Sequence, residues 1–337
     1  MKQIVIHTPG DVRVEEAERP VLSEGHAILK LLYGGICGSD LGTYRGTFLY
    51  ADYPRIPGHE FSAEIVEIGS NDRGLVPGMV VTANPYFNCG HCYSCQRGFR
   101  NCCTSNQTMG AQRDGAFREY ITMPIDRIYD GRGLDPISLA LIEPFCISYH
   151  AAKRVEIKPG DRVLVIGAGT IGHLAAAAAR MLGGEVWMTD ISAHKLEMAR
   201  PMGLAGSFLN GEDFQERVDA ITGGRGFDVC IEAVGLPSTF QNAVDAAAFR
   251  GRVAVVGIGK QSLDFFYSVI QTKELDIRGS RNALPEDFLE LIERVGRGEF
   301  DVKSIVSAVY ALEEAPRAFQ DFAENGANLL KVLIRFC

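Results

Sequence analysis

No run of lysine and arginine occurs anywhere in the 337 residues, and the formal net charge is −8. Nucleic-acid binding needs a positive face, so both observations argue against that class. Also missing is an apolar stretch long enough to cross a bilayer. The longest candidate, "GHLAAAAARMLGG", is too short and contains Arg180. The opening residues, "MKQIVIHTPGDVRVEEAERP", meet charge and proline before any long apolar run, unlike a signal peptide. A cytoplasmic location with no membrane partner is therefore expected. Internal repeats and low-complexity tracts are absent too, which leaves ordinary globular domains.

Against these absences stands an abundance of thiols. Five of the nine cysteines fall between Cys89 and Cys103, in "CGHCYSCQRGFRNCC". In a reducing compartment an odd cysteine count fits metal ligands and spare buried thiols better than disulfides. Cys89, Cys92 and Cys95 are spaced so that their thiolates converge on one tetrahedral zinc, with Cys102 or Cys103 as the fourth donor. A site closed by four protein ligands is structural. Cys146, Cys230 and Cys337 stand in apolar or terminal surroundings and read as structural thiols.

The hydrophobic pattern divides the chain. The first half carries apolar or alternating runs such as "AILKLLYGGI" and "FSAEIVEIG", separated by Gly, Pro and Asn turns, which predicts a β-rich domain. From about Val155, strand-like runs ("DRVLVIG", "EVWMTD", "FDVCIEAVG", "GRVAVVG", "ELDIRGS") alternate with helix-like ones. Such alternation predicts a doubly wound parallel sheet. After Ser280 two further helices and two strands are expected. The predicted organisation is residues 1–146 as the β-rich domain with a cysteine lobe at 86–105, residues 147–280 as the nucleotide domain, and residues 281–337 returning to the first.

"VLVIGAGTIG" places Gly167, Gly169 and Gly172 in G-x-G-x-x-G between a strand and a helix. Main-chain N–H groups and the helix N-terminus, including Thr170 and Ile171, can then face a pyrophosphate. Asp190 ends the next strand, where a carboxylate can accept from both hydroxyls of an adenosine ribose and repel a 2′-phosphate. NAD is therefore expected over NADP. Val234 and Gly257, at the ends of two later strands, complete the expected cofactor surface. Lys195 is a further cofactor-side candidate, although a lone lysine behind that aspartate reads more readily as a solvated side chain than as a phosphate ligand.

A second donor group is dispersed. Cys37 lies in "GICGSD", His59 and Glu60 in "GHEF", and Glu143 in "ALIEPF". A thiolate, an imidazole and a carboxylate from separate segments would leave one zinc position open for substrate. Two carboxylates compete for the third place. Glu60 is the chain neighbour of His59, whereas Glu143 arrives independently beside Pro144, with an extended entry expected at 141–143. Glu143 is favoured as the resting ligand and Glu60 as one that exchanges during turnover. Ser39, Glu60 and Glu143 are the candidate catalytic groups.

Taken together, "GICGSD", "GHE", the cysteine lobe, "EP" at Glu143–Pro144 and "GAGTIG" resemble the zinc-dependent medium-chain dehydrogenases of the sorbitol dehydrogenase type, over essentially the whole chain. The resemblance implies a GroES-like catalytic domain in two segments around a Rossmann NAD-binding domain, with two zinc ions per chain. Its C-x2-C-x2-C-x7-C form selects Cys103 as the fourth structural ligand. "ALIEPF" and "RGSRNALPEDF" look most like the branch that oxidises sugar acids, the L-galactonate or L-gulonate 5-dehydrogenases. Polyol and galactitol 1-phosphate dehydrogenases are the nearest alternatives. A zinc-free quinone reductase and a non-enzymatic NAD-binding regulator are disfavoured by the intact ligand sets. Arg281 and Asn282 are expected to meet the substrate, the arginine by gripping a carboxylate through two parallel hydrogen bonds, and Tyr44 is expected to touch the polyol chain. Family members commonly carry a histidine five residues after the zinc cysteine as a proton relay. Here that position is Gly42. A homo-oligomer, dimer or tetramer, is also expected.

Overall fold

The structure, a computed structural model, describes residues 1–337. The chain forms two compact units, Met1–Glu143 with Leu284–Cys337, and Pro144–Ala283. The junctions thus fall at Glu143/Pro144 and Ala283/Leu284, where the sequence pattern suggested 146/147 and 280/281. No helix is long and apolar enough to cross a membrane.

The first unit is built on the strand His26–Ile36. It pairs antiparallel with Glu60–Ile68, Tyr120–Pro124 and the C-terminal strand Lys331–Arg335. Ala27, Leu29 and Leu31 alternate along it and are fully buried, as the period of a strand with one core face requires. Phe61, Phe117 and Phe319 fill the same core, each contributing roughly 1.5–3 kcal/mol through burial. The C-terminal return positions the site. Gly35 stands opposite Glu60 on one side of the central strand, and Ile36 stands opposite Val332 on the other. Residues from both ends of the chain therefore meet at the end of that strand, just before Cys37.

The second unit is a six-stranded parallel sheet. Its order is Gly206–Leu209, Glu185–Asp190, Arg162–Ile166, Phe227–Glu232, Ala247–Val255, Asp276–Gly279. This is the doubly wound order in which dinucleotides bind outside the carboxyl ends of the strands. The helix Thr170–Met181 buries Leu174 and the five alanines that follow, whose small side chains allow close packing on the sheet.

One local expectation is corrected. The stretch before Pro144 is not extended. Ile142–Arg154 is a helix with Glu143 in its first turn, and Pro144 sits where no intrahelical N–H is required.

Candidate active site

Strand pairing and one short helix assemble the first donor set. Cys37 follows the central strand and is the N-cap of the helix Gly38–Tyr44. His59 directly precedes the strand Glu60–Ile68. One ligand atom each from Cys37, His59 and Glu60 lies within 4.8 Å of the others. Asp40, 1 % exposed, ties these segments together. Its Oδ2 accepts the Cys37 N–H at 2.9 Å and its Oδ1 the Gly58 N–H at 3.1 Å. A buried carboxylate fixed in this way orients both ligand-bearing segments.

Sulfur, imidazole and carboxylate together suit a zinc ion that keeps a position open. The surroundings agree, because His59 is 6 % exposed and its Nδ1 is buried without a hydrogen-bond partner. Burial works against a charged His59. The Cys37 sulfur, Asp40 and Glu143 nevertheless hold its imidazole well above the ordinary histidine value. That negative surround is what a bound cation would neutralise.

The structure gathers Glu60, and not Glu143, with Cys37 and His59. Glu143 accepts a hydrogen bond from the Tyr86 hydroxyl. Burial, with Glu60 adding to it, pushes the Glu143 carboxyl up to about 7 against the pull of His59, Tyr86 and Lys331. Tyr86 therefore competes for the carboxylate that the sequence favoured as the third ligand. Adjacency on the chain does not keep Glu60 away, because His59 stands just outside the strand that Glu60 begins.

Lys331 belongs to this site and carries no sequence signal. Its Nζ lies 2.8 and 2.6 Å from the two Glu60 oxygens and 3.2 Å from the Ile36 carbonyl oxygen. Burial opposes the charge on Lys331, but Glu60 and Cys37 outweigh it and hold the ammonium above its usual range. Only the pairing of the C-terminal strand with His26–Ile36 could have revealed this contact, across 271 residues of chain.

The other candidates of this unit divide. Ser39 is half-buried beside Cys37, and its carbonyl accepts from Thr43 Oγ1 at 3.1 Å. Tyr44 packs its ring 5.8 Å from Phe319, against the core. At Gly42 a Cβ would stand 3.2 Å from the Cβ of Phe48, so the loop that follows fills the space beside it.

Cys89, Cys92, Cys95 and Cys103 form the second set, again with one sulfur each within 4.8 Å, while Cys102 is exposed outside it. All nine cysteines are free. Main-chain N–H groups aim at the sulfurs, from Cys89 to Cys103 Sγ at 3.2 Å and from Cys92 to Cys89 Sγ at 3.4 Å. Similar bonds from Thr104 and Cys95 hold the Cys92 thiol down to about 5, whereas burial raises Cys95 to about 11. Four converging sulfurs with amide support fit a closed tetrahedral zinc.

In the second unit, Gly169 caps the helix Thr170–Met181, and the space where its Cβ would lie is open. A Cβ on Gly172 would overlap the Gly167 carbonyl oxygen, so this turn closes only around glycine. Asp190 accepts the Ala168 N–H on Oδ2 at 2.6 Å and the Ser192 N–H on Oδ1 at 2.7 Å. Each oxygen keeps a further lone pair for a ribose hydroxyl. Lys195 lies in the helix that Ser192 caps. Val234 is 42 % exposed on the loop after Phe227–Glu232, and Gly257 follows the next strand. Arg281 and Asn282 stand at the end of this unit, Asn282 in the left-handed region at φ 50°.

Residues 23–131 match the alcohol dehydrogenase GroES-like domain, and residues 170–297 match the zinc-binding dehydrogenase domain. L-galactonate-5-dehydrogenase of Escherichia coli K12 is 34% identical over 100% of this chain and 99% of its own length. Galactitol-1-phosphate dehydrogenase from Escherichia coli superposes with a TM-score of 0.92 at 30% identity, covering 99% of this chain and 100% of that one. An alcohol dehydrogenase from Escherichia coli CFT073, solved with NADH, gives 0.92 at 28% identity over 99% of each chain. The chain belongs to the zinc-dependent alcohol and sorbitol dehydrogenase family, whose members oxidise CH–OH groups with a nicotinamide cofactor.

Proposed function

We propose that this enzyme oxidises a secondary hydroxyl of a sugar acid to a ketone, with zinc at Cys37, His59 and Glu60 and NAD on the loop Gly167–Gly172. The full-length similarity to L-galactonate-5-dehydrogenase carries the choice of substrate class. When bound, zinc supplies a Lewis acid for the substrate oxygen, and the dinucleotide supplies an acceptor for hydride. Ser39 takes the hydroxyl proton and hands it towards solvent. Position 42 is glycine and offers no side chain to that path, so water or the cofactor ribose completes it. Tyr86 holds Glu143 in reserve near the metal ligands. Cys89, Cys92, Cys95 and Cys103 hold a structural zinc. We read the protein as cytoplasmic and as a homo-oligomer.

Arg281 is the group we assign to the substrate carboxylate. Its charge-assisted bond would act on ground and transition states alike, so its loss should raise KM more than it lowers kcat. Arg281→Ala is expected to cost about 1.5–3 kcal/mol in kcat/KM for an aldonic acid and far less for a neutral polyol of equal length. Equal losses on both substrates would favour the second reading, a polyol or polyol-phosphate dehydrogenase, which the similarity to galactitol-1-phosphate dehydrogenase supports.

NAD preference is assigned to Asp190. Asp190→Ser removes the acceptor for two ribose hydroxyls and the repulsion of a 2′-phosphate. The NAD:NADP ratio of kcat/KM should fall at least about tenfold, equivalent to about 1.4 kcal/mol. Steady-state kinetics with both cofactors check this. An unchanged ratio would mean that Asp190 only braces the Ala168 and Ser192 amides.

A further inference from the structure

Glu232 is a buried carboxylate at the carboxyl end of a central strand, 1 % exposed, in the rim where a dinucleotide binds a sheet of this order. Isolated buried charge is costly, so such a group persists where donors surround it. Here one oxygen, Oε1, accepts from the Val234 N–H at 2.9 Å, the Gly235 N–H at 2.8 Å and Thr239 Oγ1 at 2.7 Å. The main-chain oxygen of the same residue accepts from Val256 at 2.9 Å and Gly257 at 3.1 Å. Glu232 therefore fastens the loop after its own strand and the loop after the next one.

These loops interlock with the glycine turn. A Cβ on Gly257 would overlap the Gly235 nitrogen and stand 2.6 Å from Glu232 Oε2. A Cβ on Gly167 would stand 2.5 Å from Val234 Cγ2. Val234 and Ile258 leave 42 % and 73 % of their surfaces uncovered at this rim. Three loops thus interlock, and the Glu232 side chain bonds two amides of the one at Val234.

We propose that Glu232, with Thr239, is a positioning residue for the dinucleotide: its side chain pre-orders the loop at Val234, against which Gly257 packs, so that binding does not have to. Ordering a loop on binding weakens affinity, whereas a loop already ordered spares that cost. The inference rests on the nucleotide-site reading but not on the identity of the alcohol.

Titration of the purified zinc-loaded protein with NADH, followed by fluorescence, tests it together with thermal unfolding of the same samples. Glu232→Ala should raise the NADH Kd about tenfold or more, with kcat at saturating cofactor within about twofold of the parent. Thr239→Val removes one donor and keeps the shape, so it provides a folded variant should Glu232→Ala not accumulate. Because Thr239 Oγ1 also accepts the Leu236 N–H at the start of the next helix, the substitution should raise Kd about threefold with a modest fall in Tm. Glu232→Gln, which keeps an acceptor oxygen, should recover part of the affinity. Unchanged Kd in folded Thr239→Val, or in Glu232→Ala where it folds, would overturn the proposal, as would a loss of kcat with Kd intact. Failure of the parent protein to bind NADH would instead overturn the nucleotide-site reading itself.

Discussion

Cys37→Ser should lower turnover at least about a thousandfold while leaving the chain folded and the cysteine lobe loaded. The loss of a Lewis acid at the reacting oxygen is worth several kcal/mol. Folding does not depend on Cys37, because it is half-exposed at the end of a strand whose register is set by Ala27, Leu29 and Leu31 on the core face. Mild chelation of the parent protein should have the same consequence. Three protein donors in the mixed set would leave a metal position open, whereas the four sulfurs of Cys89, Cys92, Cys95 and Cys103 would close around theirs. Circular dichroism and the rate of alcohol oxidation, measured on the same sample, check both arms. Turnover persisting within tenfold in Cys37→Ser would remove Cys37 from the catalytic site.

The second large effect is on stability. Lys331→Met leaves Glu60 as a buried carboxylate, 1 % exposed, without the ammonium that now lies 2.6 Å away. Breaking such a pair from one side costs about 3–5 kcal/mol, most of it the penalty of the charge left behind. Denaturant unfolding of metal-free protein should show that loss. Zinc should restore part of it by giving the Glu60 oxygens a new partner, and adding Glu60→Gln should restore another part by removing the orphaned charge. A single-variant loss below about 1 kcal/mol in metal-free protein would show that the pair is dispensable for folding.

Much of this site could be read from the chain because its signals are local. The cysteine spacing from Cys89 to Cys103 brings four sulfurs together within one short lobe, and Gly167, Gly169 and Gly172 shape one strand–helix turn. Alternating strand and helix patterns were enough to indicate the parallel sheet, although its short edge strand Gly206–Leu209 and the helix Phe214–Thr222 gave too brief a period to be seen. What was not legible depends on topology. Lys331 meets Glu60 only because the C-terminal strand pairs with His26–Ile36. The capture of Glu143 by Tyr86 likewise joins positions 57 residues apart. That hydrogen bond draws Glu143 towards Tyr86 while Glu60 lies with Cys37 and His59, an arrangement that chain adjacency did not suggest. The packing of Phe48 beside Gly42 belongs with these, since a missing side chain says nothing about what replaces it.

Two zinc centres of different kinds are assigned to this chain, one for catalysis and one for structure. Elemental analysis of the purified active enzyme should find two zinc ions per chain, falling to one in Cys37→Ser with the far-ultraviolet dichroism unchanged. A value no higher than one in fully active parent protein would contradict the paired-zinc reading.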